Sequence, residues 1–281
     1  MSLHTRGGLF TALFDDAAMY PPADTKMPAA VRQHARHRLS WYADTVGPLV
    51  CHSRRLAELA GHVDALGLEP LPVAAVVSEG ISGLADLQAA AARFDALRLT
   101  AVEVPLKHAR RADALRALEP LRAAGVPCYL EIAIAQVDDR AVHELSAAGL
   151  RLKLRTGGTS IDAFRTEAEL AVPIVRCAAE RLQFKCTAGL HNAVRHRDEQ
   201  TLFEHHGFLN VALAARTAAA TGSATATAAE LAERDPSAVA ARVHELGERD
   251  VAAIRAMFCS FGTCSIDEPI ADLQQMGLVH R

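Results

Sequence analysis

Short apolar runs alternate with Ala-, Leu- and Arg-rich stretches of helical spacing along most of this chain, and that rhythm leaves few folds open. A short apolar run bounded by turn residues suits a strand buried on both faces, whereas apolar positions recurring with the helical period build one buried helix face. The runs lie at 9–14, 48–51, 71–77, 97–104, 126–134, 150–154, 182–186 and 257–261. Helical stretches fall between them, among them 28–40, 84–95 and 163–181, with Ser53 placed to cap the helix after the second run and a last helix starting near Pro269. Strands joined by helices pair in parallel. Eight such units are the count of a closed (β/α)8 TIM barrel, with an open doubly wound sheet as the alternative. The stretch 191–256 breaks the rhythm with TAAATGSATATAAELAERDP at its middle. It reads as helices plus a flexible turn, an insertion before the last strand of a single domain spanning 1–281.

The chain has 281 residues, half of them apolar, with 30 basic and 33 acidic side chains spread along it for a net charge of −3. No electrostatic footprint for a nucleic-acid backbone or an anionic membrane surface is present. No apolar stretch is long enough to cross a bilayer, and the first fourteen residues lack a basic region followed by a long apolar run. The six cysteines form no CxxC pair and fall mostly in apolar segments, as reduced core thiols do, which suits the cytoplasm. The expected partners are a small molecule and, because dimers are the commonest assembly, a second copy of the chain packed on the Ala-rich insertion.

Two lysines stand out against this background. Lys153 lies in LRLKLRTGG and Lys185 in LQFKCTAGL, each inside an apolar strand-like run and each followed by a turn of small residues. Burying an ammonium costs several kcal/mol unless it is paired or gives up its proton. Desolvation or a second cation turns such an amine into a nucleophile for carbonyl carbon. Carboxylates sit in comparable settings: Asp15 and Asp16 end the first run, Glu103 lies in TAVEVPLK and Glu131 in CYLEIAI. In a barrel these residues converge at the C-terminal ends of the strands, where they form either a satisfied ion-pair network or a site.

The run KLRTGG, followed some thirty residues later by FKCTAGLH, with carboxylates on the first, fourth and fifth strands and FGTCS on the last, resembles the deoxyribose-phosphate aldolase group of class I aldolases. The resemblance implies a barrel in which Lys153 forms a Schiff base and Lys185 lowers its pKa. It implies a proton-handling acid at Glu103, where the family has Asp, and a strand-one aspartate at Asp16, a position for which Asp15 competes. It also implies a phosphate site built from backbone N–H groups around Gly157, Gly158, Gly189, Gly262 and Ser265, since such turns bind anions. Three departures bear on the substrate. Arg155 replaces a small hydroxyl residue and suits a carboxylate or phosphate, His191 replaces a basic residue after the second lysine turn, and the stretch 191–256 has no counterpart of that length.

The chemistry expected is attack of Lys153 on a small carbonyl substrate, loss of water to an iminium, and carbon–carbon cleavage or formation, with a related dehydration or cyclisation open to the same intermediate. Glu103 and Asp16 are the acid/base candidates, and Arg155, Gly157, Gly158, Gly189, His191, Gly262, Ser265 and Glu131 the substrate-binding ones. No cofactor or metal is expected. Two other readings remain. A metal-dependent lyase or isomerase could draw on Glu103, Glu131, His191, Asp267 and Glu268, and a barrel could bind its small molecule without turning it over. Cys264, after the last strand, faces the same mouth as a packed or reactive thiol, and the loop carrying Tyr20, Pro21 and Pro22 is placed to cover it from strand one.

Overall fold

The computed structural model describes residues 8–91, 93–158 and 160–281. The N-terminal stretch read for an export signal lies partly outside them, at residues 1–7. In chain order the strands are β1 (Phe14–Asp16), β2 (Val46–His52), β3 (Leu71–Val76), β4 (Leu97–Pro105), β5 (Cys128–Glu131), β6 (Arg151–Arg155), β7 (Phe184–Thr187), β8 (His196–Arg197), β9 (Glu204–His205) and β10 (Phe258–Thr263). The helices are α1 (Met27–His37), α2 (Leu56–Ala65), α3 (Leu84–Ala91), α4 (Arg111–Ala123), α5 (Asp139–Ala147), α6 (Glu167–Ala179), α7 (Phe208–Thr221), α8 (Ala224–Ala232), α9 (Pro236–His244), α10 (Glu248–Met257) and α11 (Asp267–Gln275).

Strands β1 to β7 and β10 close into a parallel barrel, while β8 and β9 form a separate antiparallel hairpin. Closure rests on β1, which pairs with β2 on one side and β10 on the other, matching Phe14 to Phe261, Asp15 to Gly262 and Asp16 to Thr263. In an open doubly wound sheet two strands would keep a free edge; here none of the eight does. The fold is therefore the (β/α)8 barrel.

Three expectations shift. The first run, at 9–14, mostly forms turns, with Leu9, Phe10 and Leu13 all in the core. The strand begins only at Phe14, because Leu9, Phe10 and Leu13 join the main core from turns, with Thr11 and Ala12 between them exposed. The stretch 191–256 begins with the β8–β9 hairpin and continues into four helices. Its supposed flexible turn is a tight junction: Gly222, with φ +62°, ends α7 in the left-handed conformation, and the Ser223 hydroxyl accepts from the Ala226 N–H to cap α8. The first half of α7, Phe208–Ala215, is buried throughout, since the helix packs on β10 and on α6, α8, α9 and α10. Small side chains let those backbones approach.

Residue parity on the strands decides what reaches the interior. Phe14, Phe208 and Phe261 form an aromatic cluster between barrel and α7, with ring centroids 5.5, 5.4 and 5.0 Å apart for Phe14–Phe208, Phe14–Phe261 and Phe208–Phe261. With Phe14 turned outward, Asp15 turns inward and Asp16 outward. In β10 a register irregularity between Phe258 and Phe261 lets both rings face the helices, while Cys259 packs in the barrel interior and Ser260 reaches Asp15.

Candidate active site

The lower interior of the barrel is apolar and small on one side, with Val50, Ala74 and Ala101 packed with Tyr129. The Tyr129 hydroxyl accepts from Arg151 Nη1 at 2.9 Å, and its ring lies 5.4 Å from Lys185 Nζ. One side-chain layer closer to the C-terminal ends of the strands, charged groups replace this packing.

Lys153 and Lys185 stand opposite each other in the β6–β7 register. Glu103 joins them: its Oε2 lies 2.8 Å from Lys153 Nζ and its Oε1 lies 2.5 Å from Lys185 Nζ. Lys185 also pairs with Asp15, whose Oδ2 accepts from Ser260 Oγ at 2.8 Å. Lys153 also pairs with Glu131 at 3.0 Å, and Glu131 accepts from Arg155 Nε at 2.9 Å. The result is a single alternating chain, Ser260–Asp15–Lys185–Glu103–Lys153–Glu131–Arg155, of three carboxylates and three cations. It runs from a fully enclosed end to a half-exposed guanidinium at the rim, with Lys185 1 % and Lys153 4 % exposed.

Burial pushes the Glu103 carboxyl up, but the ammonium groups of Lys153 and Lys185 together outweigh it and hold it at about 2. Burial likewise works against the Lys185 ammonium, and Asp15 and Glu103 outweigh it, so Lys185 loses its proton only above the ordinary lysine range. At Asp15 burial prevails over the pull of Lys185 and the carboxyl moves up. At Glu131 burial is outweighed by Lys153 and Arg155, and the carboxyl moves down. The Lys185 charge that the aldolase resemblance sets beside Lys153 is matched by two carboxylates in contact with it. Because the Glu103 value is depressed below the ordinary 4.5, its contribution to stability is fully present above about pH 4.5 and is lost as the pH falls toward about 2. Urea midpoints measured across that window are expected to fall more steeply for the wild type than for Glu103→Gln.

Asp16 does not belong to this chain of charges. It faces outward, where Oδ2 lies 2.9 Å from His34 Nδ1 on α1 and Oδ1 accepts from the Ala18 N–H at 3.1 Å. The inward carboxylate of strand one is Asp15, and strand parity sets Asp16 apart from the site. A second consequence follows at Gly47, where an added Cβ would lie 2.3 Å from Asp15 Oδ1 and 3.2 Å from the Phe14 carbonyl. Gly47→Ala is expected to displace the Asp15 carboxylate and cost about 1–3 kcal/mol as overpacking, read as a lowered thermal midpoint.

The glycine turns have steric reasons of their own. A Cβ on Gly157 would lie 2.9 Å from the Phe164 ring and 3.0 Å from Gly189 Cα, so the turns after β6 and β7 touch backbone to backbone. Gly189 also has φ +82°, which favours glycine. Thr156 Oγ1 ties the same turns together by donating to the Ala188 carbonyl at 2.6 Å. A Cβ on Gly158 would meet Ala163 at 2.7 Å, whereas one on Gly262 would make ordinary contact with Thr187. The Ser265 hydroxyl accepts from the Glu268 N–H at 3.4 Å at the start of α11. His191 Nδ1 lies 3.5 Å from Cys264 Sγ and 3.2 Å from Glu268 Oε2. Burial pulls this imidazole down, and its bonds to Cys264 and Glu268 outweigh that and raise it to about 9.

No three His, Cys, Asp or Glu side chains among the described residues are grouped to hold a metal ion, and no helix among them is long and apolar enough to cross a membrane. A cavity of about 330 Å³, bordered by Arg54, Glu79, Asp86, Arg93 and Phe94 among others, lies against α2 and α3. No member of the charge chain borders it, and the buried, mutually paired ionisable groups mark the barrel mouth rather than this outer cleft as the candidate site.

Sequence comparison finds neither a family model nor a curated protein that matches the chain. Among solved structures, the dihydropteroate synthase of Xanthomonas albilineans, in complex with indole-2-carboxylic acid and 6-chloroguanine, is similar in chain path. Its TM-score is 0.44 at 12% identity, over 96% of this chain and 93% of that one.

Proposed function

We propose that this barrel is a carbon–carbon lyase of the class I aldolase type, resembling the deoxyribose-phosphate aldolases, that forms an imine between Lys153 and a small aldehyde or ketone. The observation that carries the reading is Glu103 bridging two lysines in register at the barrel mouth. Lys153 is the outer of the two and the one whose second partner, Glu131, leads to the rim through Arg155.

For attack, the Lys153 ammonium hands a proton to a neighbouring carboxylate and becomes the free amine. Glu131 suits this step as the carboxylate nearer the rim and the less buried of the two, whereas Glu103 is held by both lysines and stays ionised. Glu131 returns its proton to the carbinolamine hydroxyl, and departure of that oxygen as water gives an iminium, which restores a positive charge between Glu103 and Glu131. The carboxylates thus stabilise the cation through which electrons leave the cleaved carbon–carbon bond. Lys185 and Asp15 hold Glu103 in position from below. Arg155, half-exposed at the rim, suits a carboxylate or phosphate on the substrate.

The reading is tested on protein dialysed against chelator and incubated with a panel of small carbonyl compounds, then with borohydride. Intact mass is expected to rise by one reduced adduct, with or without chelator. Adduct formation that disappears after chelation, or never occurs on any compound, contradicts it.

A further inference from the structure

The loop after β1 carries a second group directed at the same interior. Ala17 N–H donates to the Thr263 carbonyl at 2.7 Å, Tyr20 N–H to the Ala17 carbonyl at 2.8 Å, and Thr25 N–H to the Ala18 carbonyl at 2.9 Å. These bonds tie the loop to the rim and turn the Tyr20 ring onto the barrel-interior cluster of Val50, Ala74, Ala101 and Tyr129. There the Tyr20 hydroxyl is buried, and among the described residues it meets no hydrogen-bond partner. A buried phenol ordinarily finds one, and an orphaned donor in an ordered loop calls for a reason. The hydroxyl lies within electrostatic range of Glu103 and Lys185, the centre of the charge chain, and of Cys51 and Arg55. Burial foremost, with Cys51 and Glu103 adding to it, keeps the proton on the phenol well beyond the ordinary tyrosine range. The group therefore acts as a donor throughout the working pH range.

We propose that Tyr20 is a catalytic residue that donates a hydrogen bond to the oxygen of the carbonyl compound attacked by Lys153. The inference rests on the imine reading of Lys153. As the nitrogen lone pair forms the N–C bond, the C=O π pair moves onto oxygen, where the Tyr20 hydroxyl stabilises it. The proton displaced from nitrogen then reaches that oxygen by way of Glu131, giving the neutral carbinolamine, and Tyr20 keeps its own proton. Removing such a donor slows the step it serves by about 10²-fold.

Tyr20→Phe deletes only the hydroxyl. Wild type and variant are incubated with acetaldehyde, pyruvate and dihydroxyacetone, quenched with borohydride at successive times, and the Lys153 adduct is followed by peptide mass spectrometry alongside the thermal midpoint. The expected result is an adduct formed about 10²-fold more slowly in the variant at a midpoint equal to or above that of the wild type, since an orphaned donor has been removed. An adduct formed at the wild-type rate overturns the role of Tyr20 while leaving that of Lys153 intact. A slower adduct with a lowered midpoint also overturns it, by marking the hydroxyl as a structural group. Absence of any adduct in the wild type overturns the imine reading, and the Tyr20 assignment with it.

Discussion

Glu103→Ala is expected to lower the unfolding free energy by about 3–5 kcal/mol, the range for breaking a buried ion pair from one side. Glu103 is 2 % exposed and holds a lysine on each oxygen. Its removal leaves five charges, two carboxylates against three cations, so Lys153 keeps Glu131 as its carboxylate partner and Lys185 keeps Asp15. Denaturant midpoints with an unchanged slope would show the loss as one of stability. The contrasting variant replaces Lys153, Glu103 and Lys185 together by Met, Leu and Met and Asp15 by Asn, so that the one remaining carboxylate, Glu131, keeps Arg155 as its partner. It removes the central charges as a set and is expected to recover much of the lost stability, because apolar replacement of a whole buried ionic group is often neutral or favourable. A protein that gains stability from that replacement carries its charges for chemistry rather than for folding.

Lys153→Arg has the second large effect, on reactivity instead of stability. A guanidinium keeps the positive charge between Glu103 and Glu131 but cannot form an imine. The folded protein is therefore expected to survive, while the borohydride-trapped adduct is lost altogether. Lys185→Arg is a different case: the lysine is 1 % exposed and packed against the Tyr129 ring, so a larger planar group has no room without displacing Asp15 or Glu103. That variant is expected to lose stability first and reactivity as a consequence.

Strands β2 to β7 are legible in the sequence because each is an apolar run bounded by turn residues, and the inward polar residues Glu103, Glu131, Lys153 and Lys185 interrupt those runs conspicuously. The first strand is not, because Leu9, Phe10 and Leu13 are as apolar as a strand's residues yet enter the core from turns. That displacement also carried the choice between Asp15 and Asp16. Parity counted from the outward Phe14 selects Asp15, but only once Phe14 is known to pack on Phe208 and Phe261. Ser260 is hidden for a similar reason, since the irregularity in β10 breaks the two-residue alternation that would have placed it. Gly157 and Gly189 resemble an anion cradle in sequence, whereas the contact between their backbones is visible only in three dimensions. The pairing of Glu131 with both Lys153 and Arg155 likewise depends on β5 lying beside β6.

The most direct test of the account is the position of the reduced adduct. Borohydride treatment in the presence of a small carbonyl compound, followed by proteolysis and peptide mass mapping, is expected to place a single modification on Lys153. A modification on Lys185 instead, or none across aldehydes, ketones and keto acids, would contradict it.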